Sequence, residues 1–138
     1  MKKSKLSQDL RQLLTLPIVS QIDKSKFLHR LTKDKLTRDE NIKSHICIYF
    51  AAYDPVAKQV FIGSHKKSGL WLFNGGHIEK GETLLDALER EMSEEWGGVE
   101  RHANIPSLLT ITKIKPNPNQ KCVWHFDVWY FIELDKNK

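Results

Sequence analysis

Three carboxylates, Glu91, Glu94 and Glu95, crowd the stretch Arg90-Glu-Met-Ser-Glu-Glu-Trp-Gly97. Helical neighbours three and four residues apart share a face, so Glu91 is set beside both other acids, an arrangement that like-charge repulsion disfavours on an ordinary surface helix. A divalent cation relieves that repulsion. Hard oxygen donors of this kind suit Mg²⁺ or Mn²⁺, ions that commonly bridge a few carboxylates to the phosphate oxygens of a substrate. Taken alone, Arg90 to Glu95 reads more readily as a solvated helix face with internal ion pairs. The flanking residues reverse that reading, because Gly76, Glu82 and Gly97 stand in register with it.

Local signals say what must position these groups. Thr83 and Asp86 have the spacing of a capping box and Gly97-Gly98 is a strong stop, so the spacing predicts a helix over about residues 83 to 96. Leu84, Leu85, Ala87, Leu88, Met92 and Trp96 supply its apolar stripe, while the three glutamates point elsewhere. Before the helix, Gly75, Gly76 and Gly81 are expected in a loop where glycine permits close backbone approach.

Gly76, Glu82, Arg90, Glu91, Met92, Glu94, Glu95 and Gly97 together fit G-x5-E-x7-R-E-U-x-E-E-x-G-U, with U a bulky apolar residue, and so the chain resembles the Nudix family. At average residue usage, a chance match to the fixed positions at a given start is on the order of one in 10⁸. One departure is Gly98, where the pattern wants an apolar side chain; Val99 follows it. The resemblance implies an α/β fold, a mixed β-sheet in an α-β-α sandwich, over roughly residues 44 to 134. It implies a metal-dependent hydrolase, with Mg²⁺ or Mn²⁺, in which water attacks a phosphorus atom of a diphosphate linkage in a nucleoside diphosphate joined to some group X. By position in the box, Glu91, Glu94 and Glu95 look like metal ligands, one of them shared as the base. Gly75 resembles the glycine whose carbonyl joins the metal shell, and Glu82 and Arg90 look like the pair that fixes the loop against the helix.

At 138 residues, 40% of them apolar, the chain is sized for one domain with a real core. The start has a positive end but no apolar run of a signal peptide, and no membrane-spanning stretch follows, so a cytoplasmic protein is expected. Cys47 and Cys122 lack C-x-x-C spacing and fall in apolar or strand-like segments, which favours buried free thiols over a disulfide or a zinc site. The net charge of +5 is unevenly placed: residues 1 to 43 hold eleven Lys or Arg against five acids, and the remainder eleven against twelve. That divides the chain into a basic helical N-terminal extension, 1–43, and a Nudix domain, 44–138. The extension reads first as a soluble helical segment and alternatively as an electrostatic arm for RNA.

Leu6, Leu10, Leu13 and Leu14 recur at helical spacing up to Pro17, and Phe27, Leu28 and Leu31 indicate a second short helix. From His45 the pattern is strand-like: 45–53, a turn at Asp54-Pro55, 59–64, 70–73, then 108–115 and 122–134 as a second hairpin. Family members usually continue into a further strand and a closing helix that this chain does not reach. Residues 5 to 32, or a second subunit in a homodimer, are the expected cover for the sheet face left open.

Outside the box the sequence offers weaker candidates. Asp127 shares a strand face with His125 and Trp129, a placement that fits a base outside the box or an ordinary polar pair. Lys66 or Lys67 is placed to meet phosphate, and Trp71, Phe73 or Trp129 to stack on a base. Two other classes compete with the enzyme: a nucleotide-binding Nudix module without catalysis, which the intact glutamates disfavour, and an RNA-end-processing or RNA-binding role.

Overall fold

A computed structural model of the chain describes residues 4–17, 21–61, 63–64, 71–96, 106–115, 118 and 121–133, with the backbone alone at 22, 61, 63, 64, 71, 72, 95 and 96. Its elements in order are α1 (Lys5–Leu13), α2 (Gln21–Leu31), β1 (Ser44–Asp54), β2 (Gln59–Phe61), β3 (Gly63–Ser64), β4 (Trp71–Leu72), β5 (Asn74–His77), α3 (Leu84–Trp96), β6 (Leu108–Lys113) and β7 (Trp124–Glu133). Among the described residues no helix is long and apolar enough to cross a membrane.

The sheet is mixed and runs β2-β1-β7-β6, with β5 also paired to β1. Its centre is the parallel pair β1 and β7, in register from Ser44 beside Trp124 to Tyr53 beside Glu133. All other pairings are antiparallel. Such a central pair is buried on both faces, which suits the nearly unbroken apolar run of β1.

Because side chains alternate along a strand, the sheet sorts its residues into two unlike faces. Even-numbered Ile46, Ile48, Phe50, Val128, Tyr130 and Ile132 join one apolar core with Leu6, Leu10 and Leu13 of α1, Phe27 and Leu31 of α2, and Leu84, Ala87, Leu88 and Met92 of α3. Phe27 meets Phe126 edge to face, with ring centroids 5.2 Å apart. The N-terminal helices therefore build the same core as α3. Odd-numbered His45, Cys47, Tyr49, His125, Asp127 and Trp129 occupy the other face.

Three polar joints hold the helices in place. Ser4 caps α1 by accepting from the Ser7 amide at 3.1 Å. Asp9, on α1, accepts from the Leu84 amide at 3.2 Å, placing a negative charge at the N-terminus of α3, where the helix dipole favours it. Arg30, at the end of α2, is 5% exposed. Its guanidinium donates to the Asp34 and Lys35 carbonyls and to the Ser44 carbonyl and hydroxyl, so the link from α2 to β1 is pinned.

Within the expected strand 59–64, β2 extends the main sheet and β3 pairs with β4 in a separate ribbon, residue 62 lying outside the described residues. The structure differs from the expected elements in two places. Gly75 and Gly76 are not in a loop but in β5, because the edge of β1 is open there and pairs with their backbone. Leu85 is 43% exposed rather than core. Adjacent helical residues point about 100° apart, and the inward face is taken by Leu84, Ala87, Leu88 and Met92.

Leu10 has no exposed surface although it lies outside the 44–138 segment. Leu10→Ala is expected to cost about 2–5 kcal/mol by urea unfolding. A change near zero would mean that α1 is a dispensable appendage.

Candidate active site

The capping box expected at Thr83 forms in full. The Asp86 amide donates to the Thr83 hydroxyl at 3.1 Å and the Thr83 amide donates to the Asp86 carboxylate at 3.0 Å. These bonds also hold the Asp86 carboxyl below the usual carboxylate range. The start of α3 is thereby fixed, and with it the rotation that sends Arg90, Glu91 and Glu94 toward β5.

Arg90 is the hub of the site. Its Nε and Nη2 donate to the two oxygens of Glu82 at 2.8 and 2.9 Å, Nη1 donates to Glu91 at 2.7 Å, and Nη2 also donates to the His77 carbonyl at 2.9 Å. Nη1 stands 3.6 Å from Glu94 as well. Glu82 closes the loop by accepting from the Glu79 amide at 2.7 Å. Burial works to raise the Glu82 pKa, but the bonds from Arg90 and the Glu79 amide outweigh it and hold the carboxyl down. On Arg90 the bonds to Glu82, against burial, raise an already high pKa, so the guanidinium stays charged.

Glu91 is 7% exposed, an unusual place for a carboxylate, and glycine is what makes room for it. A Cβ added to Gly76 would lie 2.5 Å from its Oε1. A Cβ on Gly75 would instead meet Tyr49 and the Ile48 carbonyl. The two glycines thus open toward opposite faces of β5, one onto the carboxylates and one onto aromatic rings.

On that other side Tyr49 stacks on Trp129 at 4.8 Å, and Phe73 meets Trp129 edge to face at 5.7 Å. The trio is half-buried. Trp129 donates to the Thr110 hydroxyl at 2.8 Å. Thr110 and Thr112 both donate to one oxygen of Asp127, at 2.8 and 2.6 Å. A cleft of about 410 Å³ opens on the carboxylate side, lined by Gly76, His77, Ile78, Arg90 and Glu91, by the cations Arg38 and Lys80 and by the acids Asp39 and Glu79.

Of the residues expected from sequence, Glu82, Arg90, Glu91 and Glu94 are brought together, with Gly75 and Gly76 alongside. Glu95 lies four residues after Glu91 on α3, but its side chain and that of Trp71 are outside the described residues, as are Lys66 and Lys67. Phe73 and Trp129 do meet. Asp127 is not brought to the carboxylates: it is 2% exposed on the odd-numbered face, and burial raises its pKa although the threonine bonds pull it down. His125 is likewise buried on the odd-numbered face, 6% exposed. It is buried against His45, with ring centroids 4.9 Å apart, and desolvation, with His45 and Arg38 adding to it, lowers its pKa to about 4. Sequence reasoning missed Arg38, Lys80 and Tyr49, which come to the site from a connecting turn, a loop and a strand that carry no motif.

The carboxylates fit a hard divalent ion. Glu91 is prepositioned in a glycine-made recess, Glu94 stands at its shoulder with a 57% exposed side chain, and one guanidinium orients both. Arg90 occupies Oε1 of Glu91, so the hard-donor set is constrained in direction before any ion arrives.

The depressed Glu82 pKa carries a testable sign. Its contribution to stability is fully present above the unfolded value of 4.5 and is lost as pH falls through the lower folded value. Glu82→Gln should therefore unfold at lower urea than the parent at neutral pH, and the gap should close below about pH 4.5. A gap independent of pH would remove the ion pair from the account.

A Nudix domain model matches residues 47–138. The RNA pyrophosphohydrolase of Xylella fastidiosa (strain Temecula1) is 27% identical over 84 residues, covering 55% of this chain and 44% of that protein. The RNA pyrophosphohydrolase of Ruthia magnifica is 32% identical over 89 residues, covering 59% of this chain and 50% of the relative. The chain spans about half the length of the curated relatives it matches. A crystal structure of a MutT/nudix family protein from Enterococcus faecalis superposes with a TM-score of 0.48 at 18% identity, covering 99% of this chain and 51% of that one. With the match extending over most of its length, and Glu82 and Glu91 joined through Arg90 as the box sets them, the chain belongs to the Nudix family.

Proposed function

We propose that this chain is a pyrophosphohydrolase that uses Mg²⁺ or Mn²⁺ to cleave a phosphoric anhydride in a nucleoside diphosphate linked to a further group. The observation that carries the reading is the buried Glu91, fixed by Arg90 in the recess left by Gly76. An ion held by Glu91, Glu94 and Glu95 would neutralise charge on the phosphate oxygens and make bound water more acidic.

The protein's own groups supply the rest. Arg38 and Lys80 on the cleft walls meet the phosphates. The Nε of Arg38 is buried without a hydrogen-bond partner among the described residues, which favours an anion there. Glu94 has the more exposed carboxylate of the two described, and its reach to water suits it to take the proton of the attacking molecule. Tyr49 lies against Gly75 and, with Phe73 and Trp129, offers an aromatic face for a base on the far side of β5 from Glu91.

A second reading, a triphosphorylated RNA 5′ end as substrate, is supported by the names of the curated relatives and by the basic first 43 residues. Its RNA affinity would fall steeply with salt. A module that binds nucleotide without cleaving it is disfavoured by the full set of box glutamates.

The test is phosphate and pyrophosphate release from nucleoside triphosphates, dinucleoside polyphosphates, nucleotide sugars and 5′-triphosphate RNA, with and without Mn²⁺. Metal-dependent turnover is expected, with Glu94→Gln lowering kcat by about 10²–10³-fold while nucleotide still binds. Nucleotide binding with no turnover across the panel would instead establish the binding module.

A further inference from the structure

The odd-numbered sheet face holds a second group of ligand atoms that the carboxylate chemistry does not use. His45 from β1, His77 from β5, Cys122 from the approach to β7, and His125 from β7 each present one donor atom, and these four atoms all lie within 4.8 Å of one another. We propose that they form a zinc site, with three imidazole nitrogens and one thiolate around the ion.

Distances support this directly. With Zn–N of about 2.0–2.1 Å and Zn–S of about 2.3 Å, a tetrahedral site places sulfur about 3.6 Å from each nitrogen. The Cys122 Sγ is 3.7 Å from His45 Nε2 and 3.9 Å from His77 Nε2. Those two sulfur–nitrogen distances would shorten by only a few tenths of an ångström on binding, and no pair in the group lies farther apart than 4.8 Å.

Orientation points the same way. His45 Nδ1 lies 2.9 Å from the Asn41 carbonyl, so the proton belongs on Nδ1 and the Nε2 lone pair faces the cluster. A carbonyl that fixes the tautomer of a ligating histidine is a common outer partner in zinc sites. His125 is 6% exposed, yet neither of its ring nitrogens has a hydrogen-bond partner among the described residues. A buried imidazole with nothing to bond is costly, and an ion would satisfy one of its two nitrogens.

The donor set is selective. Imidazole and thiolate suit Zn²⁺, whereas carboxylates suit Mg²⁺ and Mn²⁺, so the two faces of β5 would sort two metals by ligand softness. Coordination replaces the S–H bond of Cys122 with S–Zn, and the proton leaves to solvent. His77 is half-buried where the other three ligands are buried, so the group is least enclosed on the β5 side. Cys47, His125 and Asp127 form an overlapping trio, in which the Asp127 oxygen not held by the threonines is also buried without a partner among the described residues, but the trio offers three donors where a closed zinc site takes four. The four-ligand group is therefore the stronger site. Bound there, zinc would tie β1, β5 and the start of β7 together on the face that the apolar core does not reach.

The experiment uses the full chain, freed of metal by a chelator and kept in excess Mg²⁺ to occupy the carboxylates. Zn²⁺ is titrated against a chromophoric chelator, and Co²⁺ is added separately as a spectroscopic substitute. About one equivalent of tightly held Zn²⁺ is expected, with Co²⁺ giving a thiolate charge-transfer band and tetrahedral d–d absorption. Cys122→Ser and His125→Gln should abolish the band or weaken Zn²⁺ binding by about 100-fold or more. Should either variant fail to fold, alkylation of Cys122 in the parent chain decides, read by peptide mapping: Zn²⁺ should slow it and Mg²⁺ should not. Absence of the thiolate band, equal zinc uptake by folded variants, or alkylation indifferent to Zn²⁺ would each overturn the proposal.

Discussion

The site depends on one guanidinium with more than one carboxylate to satisfy. Arg90 spends its fixed fork of donors on both oxygens of Glu82, on Glu91 and on the His77 carbonyl. Each charged bond of this kind is worth about 1.5–3 kcal/mol net, and their joint effect is geometric as much as energetic. They lock the loop that carries Glu82, the helix that carries Glu91 and the strand that carries His77 into one unit. Without that unit, Glu91 would be a nearly buried anion with its neighbour Glu94 repelling it. With it, the carboxylates are held in a direction that an ion can use.

Around this clamp the strand β5 acts as a thin wall. Gly76 gives up its side chain so that Glu91 can lie against the backbone, and Gly75 does the same for Tyr49 on the other side. Consecutive residues of a strand face opposite ways, so two adjacent glycines bring two different chemistries to either side of one backbone. Hard carboxylates lie on the helix side, while aromatic rings and a histidine–cysteine group lie on the other. His77 joins them, since its carbonyl is held by Arg90 and its ring stands among His45, Cys122 and His125.

How much of this was legible in the sequence follows the range of the interactions. The capping box at Thr83 and the apolar repeat of Leu6 to Leu14 are local and were readable from spacing, whereas the Arg90–Glu82 pairing was expected only from the family resemblance. The even–odd sorting of β7 also placed Asp127, His125 and Trp129 on one face, because the period of a strand is a local property. What alternation could not say was what lies opposite that face. Asp127 is matched to Thr110 and Thr112 by the register of β6, and His125 to His45 by the parallel pairing with β1. Likewise, the lack of C-x-x-C spacing gave no hint of the group around Cys122, whose four members come from separate segments. Gly75 and Gly76 were read as loop because glycine in sequence signals freedom, whereas here it serves close packing inside a strand.

The claim at the centre of this account is that Arg90 positions the carboxylates for a divalent ion, and the direct measurement is Mn²⁺ affinity, by electron paramagnetic resonance, in the parent chain and in Arg90→Gln. Simple electrostatics says that removing a cation beside the site should tighten Mn²⁺ binding. The clamp predicts the opposite: loss of the fork releases Glu91 and Glu82, and affinity falls by about 10–100-fold, the scale seen when ligand-orienting partners are removed. Affinity that stays the same or rises would show that the glutamates need no such positioning and would contradict the account.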